Sequence, residues 1–132
     1  MLFRSTVEVP DDLPLVRGRP QQLQQVLLNL LINAKDALTG CEMQDRRVWL
    51  TAAPHADGVR LSVRDNGPGV PAAMRPHIFE PFVTSKRARG GTGLGLSVSK
   101  SLLETYGGNI EVVGEPGHGA EFRIWLPIAT EE

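Results

Sequence analysis

Three oxygen-bearing side chains recur along one stretch of the chain: Asn29, Asn33 and Asp36, spaced i, i+4 and i+7. In a helix that spacing places them on one stripe. The stripe lies about 130° round from the apolar residues of the same segment. Asn is a middling helix former, and two of them a turn apart give up intrinsic stability. The pattern reads either as a solvated polar face or as a line of oxygen ligands over a pocket. In the second reading a neutral amide oxygen meets a hard cation such as Mg²⁺, which keeps waters and substrate phosphates in its shell. Leu28 and Ile32 belong to neither stripe, so they either pack on a second surface or face a partner domain.

Two glycine-rich stretches could bring backbone close to a ligand. Asp65-Asn66-Gly67-Pro68-Gly69 follows an alternating apolar segment, which puts a carboxylate at the end of a strand. An ionised Asp only accepts hydrogen bonds, so its ligand partner has to be a donor, and the exocyclic amine of adenine is one. A tight surface turn accounts for the same residues equally well. Gly90-Gly91-Thr92-Gly93-Leu94-Gly95-Leu96-Ser97 opens a second helical pattern. Glycines there expose N–H groups, and a helix N-terminus favours anions. The stretch is not a Walker A loop, because no Gly-Lys-Ser/Thr closes it, and it lacks the third glycine of a dinucleotide fingerprint. Lys86, Arg87 and Arg89 precede it, either as solvated charges or, for Lys86, as a phosphate contact. Gly117-His118-Gly119 is either a plain hairpin turn or a place where backbone passes close to another glycine-rich segment. The histidines, His55, His77 and His118, form no metal-ligand pattern, and Ser97, Ser99 and Ser101 have no nearby His base.

The elements that must position these residues follow from the patterning. Residues 6–9 alternate as a short strand ended by Pro10, and residues 11–19 form a loop. Pro20 suits a first helical position, and Leu23, Val26, Leu27, Leu30, Leu31, Ala34 and Leu38 recur at helical spacing over 21–38, with Gly40 as the stop. Residues 48–53 and 59–63 read as paired strands, with Asp57-Gly58 as the hairpin turn. A short helical turn falls within 74–82, and 83–91 is a polar, basic, glycine-ended mobile loop. A second helix spans about 94–106 and stops at Gly107-Gly108. Residues 110–113 and 121–126 form a last pair of strands around a Pro116-Gly117 turn. Hairpins outnumber βαβ units, so the expected fold is an α/β (α+β) two-layer sandwich, a mixed sheet with helices on one face.

Bulk properties narrow the function. The chain has 132 residues, 41% hydrophobic and 22% charged, the make-up of one globular domain. A net charge of −1 argues against a broad nucleic-acid surface. No apolar run approaches the roughly 20 residues that cross a bilayer, and the start lacks the apolar core of a signal peptide. Cys41 is the single cysteine, a bystander by its surroundings, and a reducing cytoplasm is the simplest setting.

Order and spacing then carry a resemblance. Asn29-Leu30-Leu31-Ile32-Asn33-Ala34 resembles the N box of the histidine kinase family, within the GHKL superfamily of ATP-binding domains. Asp65-Asn66-Gly67-Pro68-Gly69 resembles its G1 box. Ile78-Phe79-Glu80-Pro81-Phe82 with Thr84-Ser85-Lys86 resembles its F box, and the stretch from Gly91 to Ser97 its G2 box. Gly117-His118-Gly119-Ala120-Glu121-Phe122 resembles G3, with Ala120 where the family often has Thr. The likeness runs over about residues 7–127, and it implies the Bergerat-type ATP-binding fold and the cofactors ATP and Mg²⁺.

The resemblance also implies roles. Asn33 would ligate Mg²⁺, with Asn29 close to the phosphates or their water. Asp65 would accept from the adenine amine, with Gly67 and Gly69 shaping that end. Residues 83–91 would be the ATP lid, anchored by Phe79 and Phe82, with Lys86 near the phosphates. Gly91, Thr92, Gly93 and Gly95, with the backbone of Leu94 and Leu96, would approach the phosphates. The family's third N-box position is often basic, whereas this chain has Asp36 there, after Lys35. The gyrase and chaperone branches carry Glu where this chain has Asn29. A Glu there can act as general base on water; Asn cannot, which suits a site that holds ATP for an external nucleophile.

The family's acceptor histidine motif is missing, since neither Ala56-Asp57 after His55 nor Ile78-Phe79 after His77 fits it. The expectation is therefore a single catalytic domain over 1–132, cut from a longer sensor kinase and lacking the dimerisation and histidine-phosphotransfer domain. That domain would be its partner, with a response regulator downstream. The isolated domain is expected to be monomeric and cytoplasmic, whether or not its parent is anchored in the inner membrane. Two other readings stand beside it: a stand-alone GHKL serine kinase of the anti-sigma-factor type, and a nucleotide-binding scaffold without catalysis.

Overall fold

Helix α1 (Pro20–Thr39) starts at the proline and buries Val26, Leu30, Ala34 and Leu38, one residue per turn along a single face. The carbonyl of Arg19 accepts from the N–H groups of Gln22 and Leu23, satisfying two first-turn donors. The computed structural model describes residues 4–39, 45–81, 95–114 and 118–129. Gly40, Cys41, Phe82, Lys86, Gly91, Thr92, Gly93 and Leu94, the 83–91 segment and the Pro116-Gly117 turn lie outside the described residues.

The strands are β1 (Arg4–Glu8), β2 (Arg47–His55), β3 (Gly58–Asp65), β4 (Asn109–Val113) and β5 (Ala120–Pro127). They form one five-stranded sheet in the order β1-β2-β3-β5-β4. The β1–β2 pair is parallel and the others are antiparallel, so the sheet is mixed, as expected. A parallel neighbour needs a crossover, and α1 supplies it. Along β5 burial alternates: Ala120, Phe122, Ile124 and Leu126 face the helices, while Glu121, Arg123 and Trp125 face outward. The inward side chains join Val26, Leu30 and Leu38 of α1 and Leu103 of the second helix in one core.

That second helix, α2 (Gly95–Thr105), ends as the glycines require. Gly107 takes a φ of 79°, its N–H donates to the Glu104 carbonyl, and the Gly108 N–H donates to the Leu103 carbonyl. This is a Schellman ending. The Tyr106 hydroxyl donates to the Gln22 side chain and ties this end of α2 to the start of α1.

Two expectations about β2 change. The strand runs past Pro54 to His55 because β1 pairs it only as far as Thr51. Beyond that point β2 has an open edge, where a missing N–H costs nothing. The hairpin turn is Ala56-Asp57, with φ of 48° and 59°, and Gly58 already belongs to β3. A Cβ on Gly58 would lie 2.2 Å from the Leu126 carbonyl oxygen and 2.6 Å from the Trp125 indole. The glycine serves a close approach to β5 rather than the turn. The short helical turn within 74–82 is a 3-10 turn, Arg75–His77.

Candidate functional site

Asp65 ends β3 and is 3% exposed, although it carries a carboxyl group. Its Oδ1 accepts from the Gly67 N–H at 2.9 Å. Burial raises its pKa above the usual carboxylate value, and the backbone N–H groups of Gly67 and Ala120 pull the other way. The turn that follows is held from β2: the Asn66 amide donates to the Asp45 carbonyl and accepts from the Arg47 N–H. Gly69 has a φ of 80°. Gly119 packs against the backbone of Asp65 and Asn66, with a φ of 87°, and a Cβ there would lie 2.1 Å from the Asp65 backbone carbonyl oxygen. Of the two readings left open for Gly117-His118-Gly119, the structure thus bears out close passage, at Gly119.

The same turn rests on one end of α1. A Cβ on Gly67 would lie 3.5 Å from a Leu38 methyl and 3.6 Å from the Ala37 carbonyl oxygen. Further back along α1, Asn29 meets the start of α2. Its amide nitrogen is 3.3 Å from both the Gly95 carbonyl oxygen and the Ser99 hydroxyl, while its Oδ1 accepts from Gln25 Nε2 at 3.0 Å. At about 1.5 Å per residue these two contact points lie about 12 Å apart along α1. Half-buried Asn33 and Asp36 sit between them on the same stripe. α1 is thus a rail with the buried carboxylate near one end and the first turn of α2 near the other.

The remaining expected residues fall as follows. Phe79 is partly buried and packs against the core, edge-on to Phe122 with ring centroids 6.3 Å apart. Leu96 is half-buried against the core. Lys35 is exposed, away from the polar stripe. His77 pairs with Glu80 at 3.0 Å, and His55 bonds to Arg60, so both make local surface contacts. Two open hollows of ≈ 390 Å³ and ≈ 400 Å³ lie elsewhere, lined by residues such as Arg60, Arg123 and Trp125, or Trp49, Arg64 and Glu121, and neither includes Asp65 or α1.

Sequence reasoning gave Ser99 no part in the site. It is fully buried, and its hydroxyl donates to the Gly95 carbonyl at 2.8 Å. The only local signal was its place one turn after Gly95, where a serine hydroxyl can bond back to the i−4 carbonyl.

The family model for histidine kinase-, DNA gyrase B- and HSP90-like ATPases matches residues 18–130. The chain belongs to this family. Within it the histidine kinases are its near relatives. It is 45% identical over 124 residues to the two-component sensor PprA of Pseudomonas aeruginosa, covering 92% of this chain and 13% of that protein. Full-length ShkA in complex with AMPPNP superposes with a TM-score of 0.79 at 38% identity, covering 98% of this chain and 26% of ShkA. The catalytic domain of the histidine kinase ThkA superposes with a TM-score of 0.80 at 29% identity, covering 97% of this chain and 82% of that domain.

This histidine kinase ATPase domain therefore spans about an eighth of PprA and about a quarter of ShkA. Its two-layer α/β sandwich is the fold of those catalytic domains. No helix among the described residues is long and apolar enough to cross a membrane. Asn29 and Asn33 on α1 carry neutral amide oxygens, the hard donor type that a magnesium ion accepts.

Proposed function

We propose that this domain binds ATP with Mg²⁺ and presents the γ-phosphate to a histidine on the separate dimerisation domain of a two-component sensor kinase. The observation that carries the reading is the buried Asp65 carboxylate, joined by α1 to the Asn29–Asn33 stripe. Asp65 is the acceptor for the adenine amine. Gly67, Gly69 and Gly119 keep that end narrow and free of side chains. Asn33 is the protein's oxygen for the metal, and Asn29 lies beside the phosphates or their water. Held by Asn33, a magnesium ion would supply neutralisation of the phosphate charge. The start of α2 presents backbone at the phosphate end, and the 83–91 segment, with Lys86 and Gly91 to Leu94, is the lid. Asn29 cannot take a proton from water, so the site holds ATP intact until an external nucleophile arrives, and catalysis is positioning and charge neutralisation.

The partner reading has its own support. Leu28, Leu31 and Ile32 are 51%, 37% and 45% exposed, and they form an apolar strip on α1 beside the polar stripe. Such a strip suits the apolar face of a helical acceptor domain. The cytoplasm, where ATP and a response regulator are at hand, is the setting.

A calorimetric titration with ATP and ADP, with and without Mg²⁺, tests the binding. A phosphotransfer assay on a supplied dimerisation domain, with its acceptor histidine present or replaced by serine, tests the chemistry. Transfer to histidine alone is the expected result. Binding without transfer to either acceptor would leave a nucleotide-binding scaffold, and transfer to serine would move the domain to the serine kinase branch.

A further inference from the structure

We infer that Ser99 is a positioning residue that aims the Asn29 amide, so that Asn29 turns its oxygen and not its N–H groups toward the ligand side of α1. The inference rests on the proposed nucleotide site, and donors and acceptors decide it. The Gly95 carbonyl can only accept, so the group of Asn29 that lies 3.3 Å from it must be the NH₂. The Ser99 hydroxyl proton is already committed to the same Gly95 carbonyl at 2.8 Å. What Ser99 offers Asn29 is therefore a lone pair, and it takes the second amide N–H at 3.3 Å. Both N–H groups of Asn29 are spent between α1 and α2. The Oδ1 is left over the polar stripe, where Gln25 Nε2 meets it at 3.0 Å.

Burial makes the arrangement specific. Ser99 is 0% exposed, so no water stands in for its hydroxyl if the oxygen is removed. An Asn29 without this second partner can swing its NH₂ toward the stripe. The consequence is chemical. With the amide fixed, α1 shows an oxygen at Asn29 one turn from Asn33, an arrangement suited to a metal ion and its waters. With the amide turned, one of the two becomes a donor that such an ion repels.

The test uses the 132-residue chain. In the nucleotide-free protein, Ser99→Ala should shift the Asn29 side-chain NH₂ resonances and speed their exchange with solvent. In calorimetry, the gain in ATP affinity on adding Mg²⁺ should shrink by about fivefold, the scale of one neutral hydrogen bond. ADP binding without Mg²⁺ should stay the same. Ser99→Cys, which keeps the bulk and a weak acceptor, should restore part of the gain. In an Asn29→Ala background Ser99→Ala should change nothing further. Unmoved Asn29 resonances, an undiminished Mg²⁺ gain, or losses that add in the double variant would each overturn the positioning role while leaving the nucleotide site standing. A wild-type chain that binds no nucleotide would instead take down the site itself, and this inference with it.

Discussion

The two regions that meet α1, at Asp65 and at Asn29, are built from different materials. At the Asp65 end the parts are backbone: a strand terminus, a glycine turn lodged on the end of α1, and β5 passing behind it so closely that only a glycine fits at position 119. At the Asn29 end two helices are joined through one side chain, whose amide donates hydrogen bonds of 3.3 Å to the Gly95 carbonyl and the Ser99 hydroxyl. Sheet register cannot be changed in part, whereas an amide re-aims by rotating about one bond. Under the proposed function, recognition of the base belongs with the rigid end, and handling of charge with the end that side chains can tune.

The sharpest way to break this comparison is Gly119→Ala. The loss of stability should exceed the ~1–3 kcal/mol of backbone strain alone, because β3 and β5 must also part. Chemical denaturation measures it, and a variant as stable as wild type would show that the Asp65 end is not rigid.

Asp65→Asn comes next. Loss of a hydrogen bond to a charged group, roughly 1.5–3 kcal/mol, corresponds to about 10- to 100-fold weaker ATP binding. GTP should bind poorly to the wild type, since guanine shows a carbonyl where adenine shows an amine. Equal calorimetric affinities for ATP and GTP would remove Asp65 from base recognition. At the other end, Asn33→Ala should lower Mg²⁺-dependent transfer by about tenfold or more, the scale on which metal-site partners act, and keep most of the adenine binding. Unchanged transfer would take Asn33 out of the site.

A pH series sharpens the contrast further. Burial holds the Asp65 pKa above its unfolded value. Protonated Asp65 therefore stabilises the fold below the unfolded pKa, and this contribution is lost as pH rises through the raised one. Nucleotide binding runs the other way, because the ionised carboxylate is the better acceptor and is lost as pH falls. Melting of the free domain and ATP affinity should trend in opposite directions from neutral pH downward, and Asp65→Asn should flatten both trends.

The smallest effect is expected at Gly95→Ala. A Cβ there would meet Asn29 at an ordinary 3.7 Å, and Gly95 lies in the helix without a positive φ. Stability should change by less than about 1 kcal/mol, toward greater helix propensity if at all. A collapse like that of Gly119→Ala would erase the difference between the two ends.

Much of this was legible in the chain. The spacing from Val26 to Leu38 placed α1 within a residue of its observed limits at each end, because apolar periodicity is a local signal. The strands were located, though β2 stretched past Pro54, since whether a proline harms a strand depends on where its neighbour stops. The order of the glycine boxes pointed to the family, which the match over residues 18–130 bears out.

Other features depend on partners far away in sequence. Gly58 read as half of a turn, yet its smallness answers to Trp125 and Leu126 across the sheet. Ser99 read as one of several helix serines, yet it is the buried partner of an asparagine 70 positions earlier. Residue types and their spacing determined which elements form and which side chains share a face, because those follow from the 3.6 and 2.0 periods of the backbone. Only the packed structure decided which glycines must be glycine, which carboxyl is buried and which way an amide faces, because close approach and hydrogen bonding are set by atoms that the fold alone brings within reach.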